Sequence, residues 1–104
     1  MTDDKMILEQ IKKAVHEVVP DAKVILFGSR VTGNIHEESD WDVLVLTKEN
    51  PDLDLKNIIQ DKLYALLRLT GAYVSPIITS EAEWENNARY YSLQKSIKGE
   101  TVLL

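Results

Sequence analysis

The sequence predicts a small α/β (α+β) fold in which helices cover a mixed β-sheet. Two long segments carry apolar residues at helical spacing, and three short runs rich in β-branched residues lie between and after them. The predicted order is helix, strand, short helix, strand, helix, strand, helix, which places the helices against a sheet. With 104 residues the chain has enough material for one hydrophobic core, so we expect a single domain over residues 1–104.

The composition excludes several classes of protein. Hydrophobic residues make up 44% and charged residues 28% of the chain, which is typical of globular rather than disordered or fibrous proteins. A net charge of −5 argues against a broad nucleic-acid-binding surface, which needs clustered Lys and Arg. The lack of cysteine excludes disulfides and thiolate chemistry. The polar N-terminus and the lack of a long apolar run predict neither a signal peptide nor a membrane span, so we expect a cytoplasmic protein.

Two helices are predicted from the spacing of apolar residues. Residues 4–19 place an apolar residue at every third or fourth position, and Pro20 ends this helix because the residue before a proline disfavours the α region. The same spacing over residues 53–69 predicts a longer helix that ends before Gly71.

Three strands are predicted over residues 22–27, 41–47 and 72–78, where β-branched and aromatic residues are enriched between turn signals. Pro76 cannot donate a hydrogen bond to a β-ladder, so the third strand should be an edge strand or contain a bulge.

The C-terminal third has weaker signals. Ser80 followed by Glu83 is typical of a capping box and predicts a short helix. Residues 90–98 predict another helix, and the apolar residues 101–104 predict either a terminal strand or a docked tail.

An acidic corner at the start of the second strand is the main candidate site. Strand side chains alternate between faces, so Asp40 and Asp42 should project together. Paired carboxylates suit Mg²⁺, which commonly takes one or two carboxylates together with substrate phosphates. For an isolated pair of this kind, a turn or strand-entry cap with solvated carboxylates is an ordinary alternative.

The turn after the first strand supplies a candidate phosphate site. Gly28 and Ser29 end the strand, Ser29 is a suitable N-cap for a short helix, and Gly33 closes the loop. Backbone N–H groups at such a helix start can face an anion, although a turn that simply needs two glycines is the alternative. Arg30 suits either a bidentate contact with a triphosphate or a surface salt bridge, and the residues alone favour neither.

Two separated blocks carry a resemblance to a known family. They are residues 27–33, FGSRVTG, and residues 38–45, ESDWDVLV. Together they resemble the signature of the DNA polymerase beta-like nucleotidyltransferase superfamily, in particular its minimal nucleotidyltransferase (MNT) branch. The resemblance implies a palm-like mixed sheet, a nucleoside triphosphate such as ATP held by Gly28 and Ser29, and Mg²⁺ held by Asp40 and Asp42 as catalytic residues.

The resemblance also implies a third carboxylate, on the next core strand, which this chain does not carry. Residues 71–78 contain neither Asp nor Glu, and Ser75 stands where that carboxylate is expected. Glu81 or Glu83 could supply the charge from the following helix, but a role in helix capping is the stronger expectation.

Two functions follow from the resemblance. The first is Mg²⁺-dependent transfer of a nucleotidyl group, with AMP from ATP as the expected case, to a hydroxyl of a protein or small molecule. The second is a catalytically weakened nucleotidyltransferase-fold binding protein or antitoxin that pairs with a helical partner of the HEPN type. Minimal members of the family commonly accompany such a partner in toxin–antitoxin pairs.

Overall fold

The computed structural model describes residues 4–32, 40–97 and 100–104. The helices and strands, in chain order, are α1 (Asp4–Val18), β1 (Lys23–Phe27), α2 (Ser29–Thr32), β2 (Trp41–Thr47), α3 (Leu53–Thr70), β3 (Val74–Ser80), α4 (Glu81–Asn86), a 3₁₀ helix (Ala88–Tyr90), α5 (Tyr91–Ile97) and β4 (Val102–Leu103).

The four strands form one mixed sheet in the order β3-β2-β1-β4. β1 pairs antiparallel with both β2 and β4, whereas β2 and β3 run parallel. The predicted mixed sheet is therefore confirmed, and residues 101–104 contribute a short strand. β3 lies at the edge of the sheet, as expected from Pro76.

One face of the sheet packs against α1 and α3. This core is built from the inward-facing apolar side chains of both helices and from alternate residues of the strands; its fully buried members include Ile11, Val15, Val24, Val43, Val45, Ile59 and Leu63. Alternation along each strand explains the choice, because residues two apart share a face. The predicted amphipathic faces of the two long helices are therefore the ones that are buried.

The opposite face carries a smaller apolar cluster covered by α4 and α5. Its buried members are Phe27, Leu44 and Leu46. Partly buried side chains of the two short helices pack against them, namely Trp84, Leu93 and Ile97. These short helices have no buried residues of their own, so they lie over the sheet as a partial cover. Asp42, the second residue of β2, lies on the same face as Leu44.

The termini of α3 show why that helix begins and ends where it does. The side chain of Asp52 accepts a hydrogen bond of 2.8 Å from the N–H of Leu55, which satisfies one of the free donors of the first turn. Gly71 takes a left-handed conformation with φ of 77°, and its N–H donates to the carbonyl of Leu67. A glycine is the usual residue for this position because it has no Cβ.

The observed boundaries differ from the predicted ones mainly at the third strand. β3 begins and ends two residues later than predicted, because Thr79 and Ser80 continue the ladder by pairing with Leu46 and Thr47. Both are buried despite their hydroxyl groups, which a search for apolar runs does not detect. The last helix begins at Tyr91 after a 3₁₀ turn, and Lys98 lies outside the described residues. Of the helices in the described segments, none has both the length and the apolar character needed to cross a bilayer.

Candidate functional site

The turn after β1 lies directly against the start of β2. Phe27, the last residue of β1, pairs with Asp42 across the antiparallel ladder. Gly28 follows with φ of +83°, and a Cβ built on it would lie only 2.3 Å from Oδ2 of Asp42. Gly28 is therefore required both for its backbone conformation and for the close approach of the carboxylate. The two sequence motifs meet at this contact.

Asp42 is half-buried on the sheet face that also carries Phe27 and Leu44. Its pKa is raised above the ordinary value of 3.8, first by burial and second by the negative charge of Asp40. Asp40 itself is exposed, immediately before β2. The folded chain thus keeps one partly desolvated carboxylate close to a second one, an arrangement that a cation would relieve.

Ser75 completes the same row of the sheet. It pairs in register with Asp42 across the parallel β2–β3 ladder. Val74 and Ile78 belong to the core under α1 and α3, so alternation places Ser75 on the opposite face together with Asp42. A neutral hydroxyl therefore occupies the position where the family resemblance implies a carboxylate.

Asp40 and Asp42 are the carboxylates that could hold a divalent cation. Hard oxygen donors of this kind fit Mg²⁺, with phosphate and water oxygens filling the rest of its octahedral shell. Within residues 4–32, 40–97 and 100–104, no group of three or more His, Asp or Glu side chains is placed to bind a metal. The pair therefore fits a metal that is shared with a phosphate ligand better than one held by protein alone.

Arg30 occupies a position that the sequence did not indicate. Its guanidinium carbon lies 4.2 Å from the ring centroid of Trp41, and the indole itself is only 3% exposed. Such stacking holds a guanidinium by cation–π attraction. A contact between Arg30 and phosphate stays a prediction, and the stacking gives the side chain a defined place near the turn.

Ser29 is the first residue of α2, so Gly28 rather than Ser29 precedes the helix. The N–H of Val31 donates to the carbonyl of Gly28 at 3.0 Å, which closes the first turn. Phosphate binding by Gly28 and Ser29 stays a prediction. The predicted loop residue Gly33 lies outside the described residues.

The two glutamates considered as replacements for the third carboxylate are engaged elsewhere. Glu81 forms a 2.9 Å salt bridge with Lys23, and the carboxylate of Glu83 accepts from the side-chain amide of Asn87 at 2.9 Å. Ser80 caps α4 as predicted, by accepting from the N–H of Glu83 at 3.1 Å. These groups lie where β3 ends, at the end of the sheet away from Asp42.

A cleft between the sheet and the two short helices was not expected from the sequence. Ile25 and Leu44 line its floor, and Trp84, Glu85 and Gln94 contribute to its walls. The signal that points to this face is the alternation along β2, which places Leu44 on the same side as Asp42. The helical residues come from distant positions in the chain, which no local pattern connects to the acidic corner.

Replacing Gly28 by alanine tests the contact with Asp42. We expect Gly28→Ala to lose about 1–3 kcal/mol of unfolding free energy from the left-handed backbone alone, and to displace the Asp42 carboxylate as well. Gly71→Ala is the matched control, because Gly71 has φ of +77° but a Cβ there meets nothing within 4 Å. Urea unfolding should show Gly28→Ala destabilised at least as much as Gly71→Ala, and Mg²⁺-ATP binding should be lost only in Gly28→Ala. Equal Mg²⁺-ATP binding by the two variants would contradict a role of the Gly28–Asp42 contact in nucleotide binding.

The raised pKa of Asp42 predicts a pH-dependent stability. Because the folded-state pKa lies above the unfolded value, ionisation of Asp42 destabilises the folded state. The stability that the protonated carboxyl contributes is therefore lost as the pH rises through the folded-state pKa. Asp42→Asn should therefore be more stable than wild type at pH 7 in EDTA, with the gain shrinking as the pH falls towards 4. Asp40→Asn should give a smaller gain, since burial is the larger cause. Thermal unfolding at several pH values measures this, and a wild type more stable than Asp42→Asn at pH 7 would refute it.

Comparison with known proteins agrees with this geometry. Residues 8–103 match the family model described as "Nucleotidyltransferase domain". A relative from Methanocaldococcus jannaschii, named "Putative protein adenylyltransferase MJ0141", is 46% identical over 55 residues, which are 51% of this chain and 56% of that protein. The match thus spans little more than half the length of the curated relative.

Solved structures give the same fold. A crystal structure of a toxin–antitoxin complex with AMP-PNP superimposes with a TM-score of 0.55 and 27% identity, over 67% of this chain and 55% of that one. A mutant of the toxin–antitoxin pair MntA–HpeT superimposes with a TM-score of 0.63 and 19% identity, over 100% of this chain and 72% of that one. With a family model matched over nearly its whole length, the chain belongs to the nucleotidyltransferase domain family, and the resemblance predicted from its two motif blocks is confirmed.

Proposed function

We propose that this protein transfers a nucleotidyl group in a Mg²⁺-dependent reaction, AMP from ATP, to a hydroxyl of a protein or small molecule. The observation that carries the proposal is the approach of the Gly28 turn to Asp42 in a member of the nucleotidyltransferase family. The adenylyltransferase name of the archaeal relative and the AMP-PNP in a structural neighbour support the choice of nucleotide.

Each motif has a role in this proposal. The turn at Gly28 and Ser29 binds the phosphates through backbone N–H groups, and Arg30 adds a positive charge beside them. Asp40 and Asp42 hold the Mg²⁺, which when bound neutralises phosphate charge and stabilises the departing pyrophosphate. The tight fit of Asp42 against Gly28 keeps the phosphate-binding turn and the metal ligands in one fixed relation.

The transfer itself is an in-line displacement. The acceptor hydroxyl oxygen forms a bond to the α-phosphorus, and the bond between that phosphorus and the oxygen bridging to the β-phosphate breaks. Pyrophosphate leaves with the electron pair, and the hydroxyl proton passes to water. The family pattern implies a carboxylate beside Asp42 that would assist the acceptor hydroxyl. In this chain that position holds the neutral Ser75.

A specific observation favours a second candidate function. A serine rather than a carboxylate pairs in register with Asp42. The position where the family pattern implies a metal ligand and general base is therefore neutral, as expected for a weakened enzyme. In that case the protein binds nucleotide and acts as an antitoxin that pairs with a helical partner of the HEPN type. Support comes from structural neighbours that are toxin–antitoxin complexes.

A labelled-nucleotide assay separates the two functions. The protein is incubated with labelled ATP, Mg²⁺ and a candidate partner chosen from the proteins encoded beside it. We expect label transfer that falls about 100-fold or more in Asp42→Asn, since a metal supplies several kcal/mol of charge stabilisation. Asp54→Asn, an exposed carboxylate on α3, is the control with the same change of charge and should leave transfer unchanged. ATP binding without transfer, with a partner shown to bind, would favour the second candidate.

Restoring a carboxylate at position 75 tests the importance of the missing charge. Ser75→Asp places a third carboxylate in register with Asp42, so we expect tighter Mg²⁺ binding and faster transfer, by about 10-fold or more. Ser75→Asn introduces a side chain of nearly the same size as Asp but without the charge, so it should give neither effect. Mg²⁺ titration calorimetry and the transfer assay measure both, and equal behaviour of the two variants would show that position 75 does not take part.

A further inference from the structure

A cleft of about 430 Å³ opens on the sheet face that carries Asp42. Its size is within the usual range for small-molecule sites, about 300–1,000 Å³. Apolar side chains of β1, β2, α4 and α5 line most of it, and three polar side chains lie among them: Ile25, Leu44, Trp84, Ile97, Glu85, Gln94 and Thr101.

The cleft begins one row of side chains from the acidic corner. Leu44 follows Asp42 by two residues on β2, and a strand advances about 6.6 Å over two residues. Across the ladder, Ile25 pairs with Leu44 as Phe27 pairs with Asp42. A ribose separates the α-phosphate of a nucleotide from its base by a comparable distance. A triphosphate held at the corner would therefore reach the cleft with its base.

The walls suit a flat aromatic ring. Leu44 and Ile25 provide an apolar floor, and the indole of Trp84 forms one wall. The ring of Tyr90 lies 5.4 Å from that of Trp84 at an interplanar angle of 43°, a tilted packing that supports the indole. Contact with an aromatic ring stabilises the base of a bound nucleotide.

One polar side chain of the cleft, Glu85, can act only as a hydrogen-bond acceptor. Glu85 is exposed, and its ionised carboxylate can only accept. The side-chain amide of Gln94 donates one N–H to the carbonyl of Trp84 and keeps its second N–H as well as the acceptor Oε1. A ligand edge that faces Glu85 must therefore donate a hydrogen bond to it. The exocyclic amino group of adenine does so, whereas hypoxanthine carries a carbonyl oxygen at the same ring position.

We infer that this cleft binds the base of the nucleoside triphosphate and that Glu85 selects adenine over hypoxanthine. The inference rests on the proposed function, because the base reaches the cleft only when the triphosphate lies at Gly28 and Asp42. It assigns to Glu85 a role in substrate specificity that neither sequence motif contains.

Calorimetry with three ligands in the presence of Mg²⁺ tests the assignment: ATP, inosine triphosphate and inorganic tripolyphosphate. For the wild type we expect ATP to bind about 10-fold more tightly than inosine triphosphate, the factor expected for one hydrogen bond to a charged group. Tripolyphosphate should bind more weakly than ATP because it leaves the cleft empty. Glu85→Gln should bring ATP and inosine triphosphate within about threefold of each other, since an amide can donate as well as accept.

Two controls keep the result specific. Glu9→Gln makes the same change of charge at an exposed position of α1, on the other side of the sheet, and should retain the wild-type preference. Tripolyphosphate should bind equally to the wild type and to Glu85→Gln, because the phosphate end is untouched. In addition, ATP should change the tryptophan fluorescence of the wild type, and Trp84→Phe should lose most of that change while still binding ATP.

The outcomes separate the inference from the function on which it rests. Equal binding of ATP and inosine triphosphate by the wild type, or an unchanged preference in Glu85→Gln, overturns the base assignment while tripolyphosphate binding and AMP transfer leave the proposed function standing. If neither ATP nor tripolyphosphate binds in the presence of Mg²⁺, the proposed function fails and the inference fails with it.

Discussion

The contact between Gly28 and Asp42 is the constraint on which the rest of the site depends. With 2.3 Å between the carboxylate oxygen and the position of a Cβ, only glycine permits the turn and the strand to meet in this way. The contact exists because Phe27 and Asp42 pair across β1 and β2. A slip of one residue in that register would turn Asp42 towards α1 and α3. Register and glycine together therefore determine where the carboxylate lies.

Hydrophobic burial on the other face of the sheet maintains this register. Trp41, Val43 and Val45 flank Asp42 and Leu44 in the sequence and are buried under α1 and α3. Full burial of a side chain such as valine contributes about 1.5–3 kcal/mol, so a slipped register that exposed all three would lose several kcal/mol. The desolvation that raises the pKa of Asp42 is a penalty on a group that is only half-buried. Apolar burial outweighs that penalty, and the fold can hold a carboxylate in a position that is unfavourable without a cation.

The sequence was sufficient to predict the elements with strong periodicity. The four elements α1, β1, β2 and α3 were predicted within one residue at most boundaries, because their apolar residues recur with the period of a helix or form a compact run between turn signals. β3 was displaced by two residues because its end is defined by pairing of Thr79 and Ser80 rather than by apolar character. For the site, the sequence identified Gly28 and Asp42 as candidates, and the pairing of β1 with β2 brings the two together. The stacking of Arg30 on Trp41 depends on tertiary packing, and so does the cleft with Glu85 and Gln94.

The two faces of the sheet divide the requirements of folding and of ligand binding. On the face under α1 and α3, every second residue of β2 contributes to the main core, so substitutions there act on stability. On the other face, one row of paired residues contains Phe27 and the polar side chains of Asp42 and Ser75. The next row on this face is entirely apolar and consists of Ile25, Leu44 and Ile77. Ser75 lies in the first of these rows, beside Asp42, and the cleft lies over the second. Under the proposed function, a substitution at Ser75 should therefore act on the transfer step, whereas a change in the cleft should act on the choice of nucleotide.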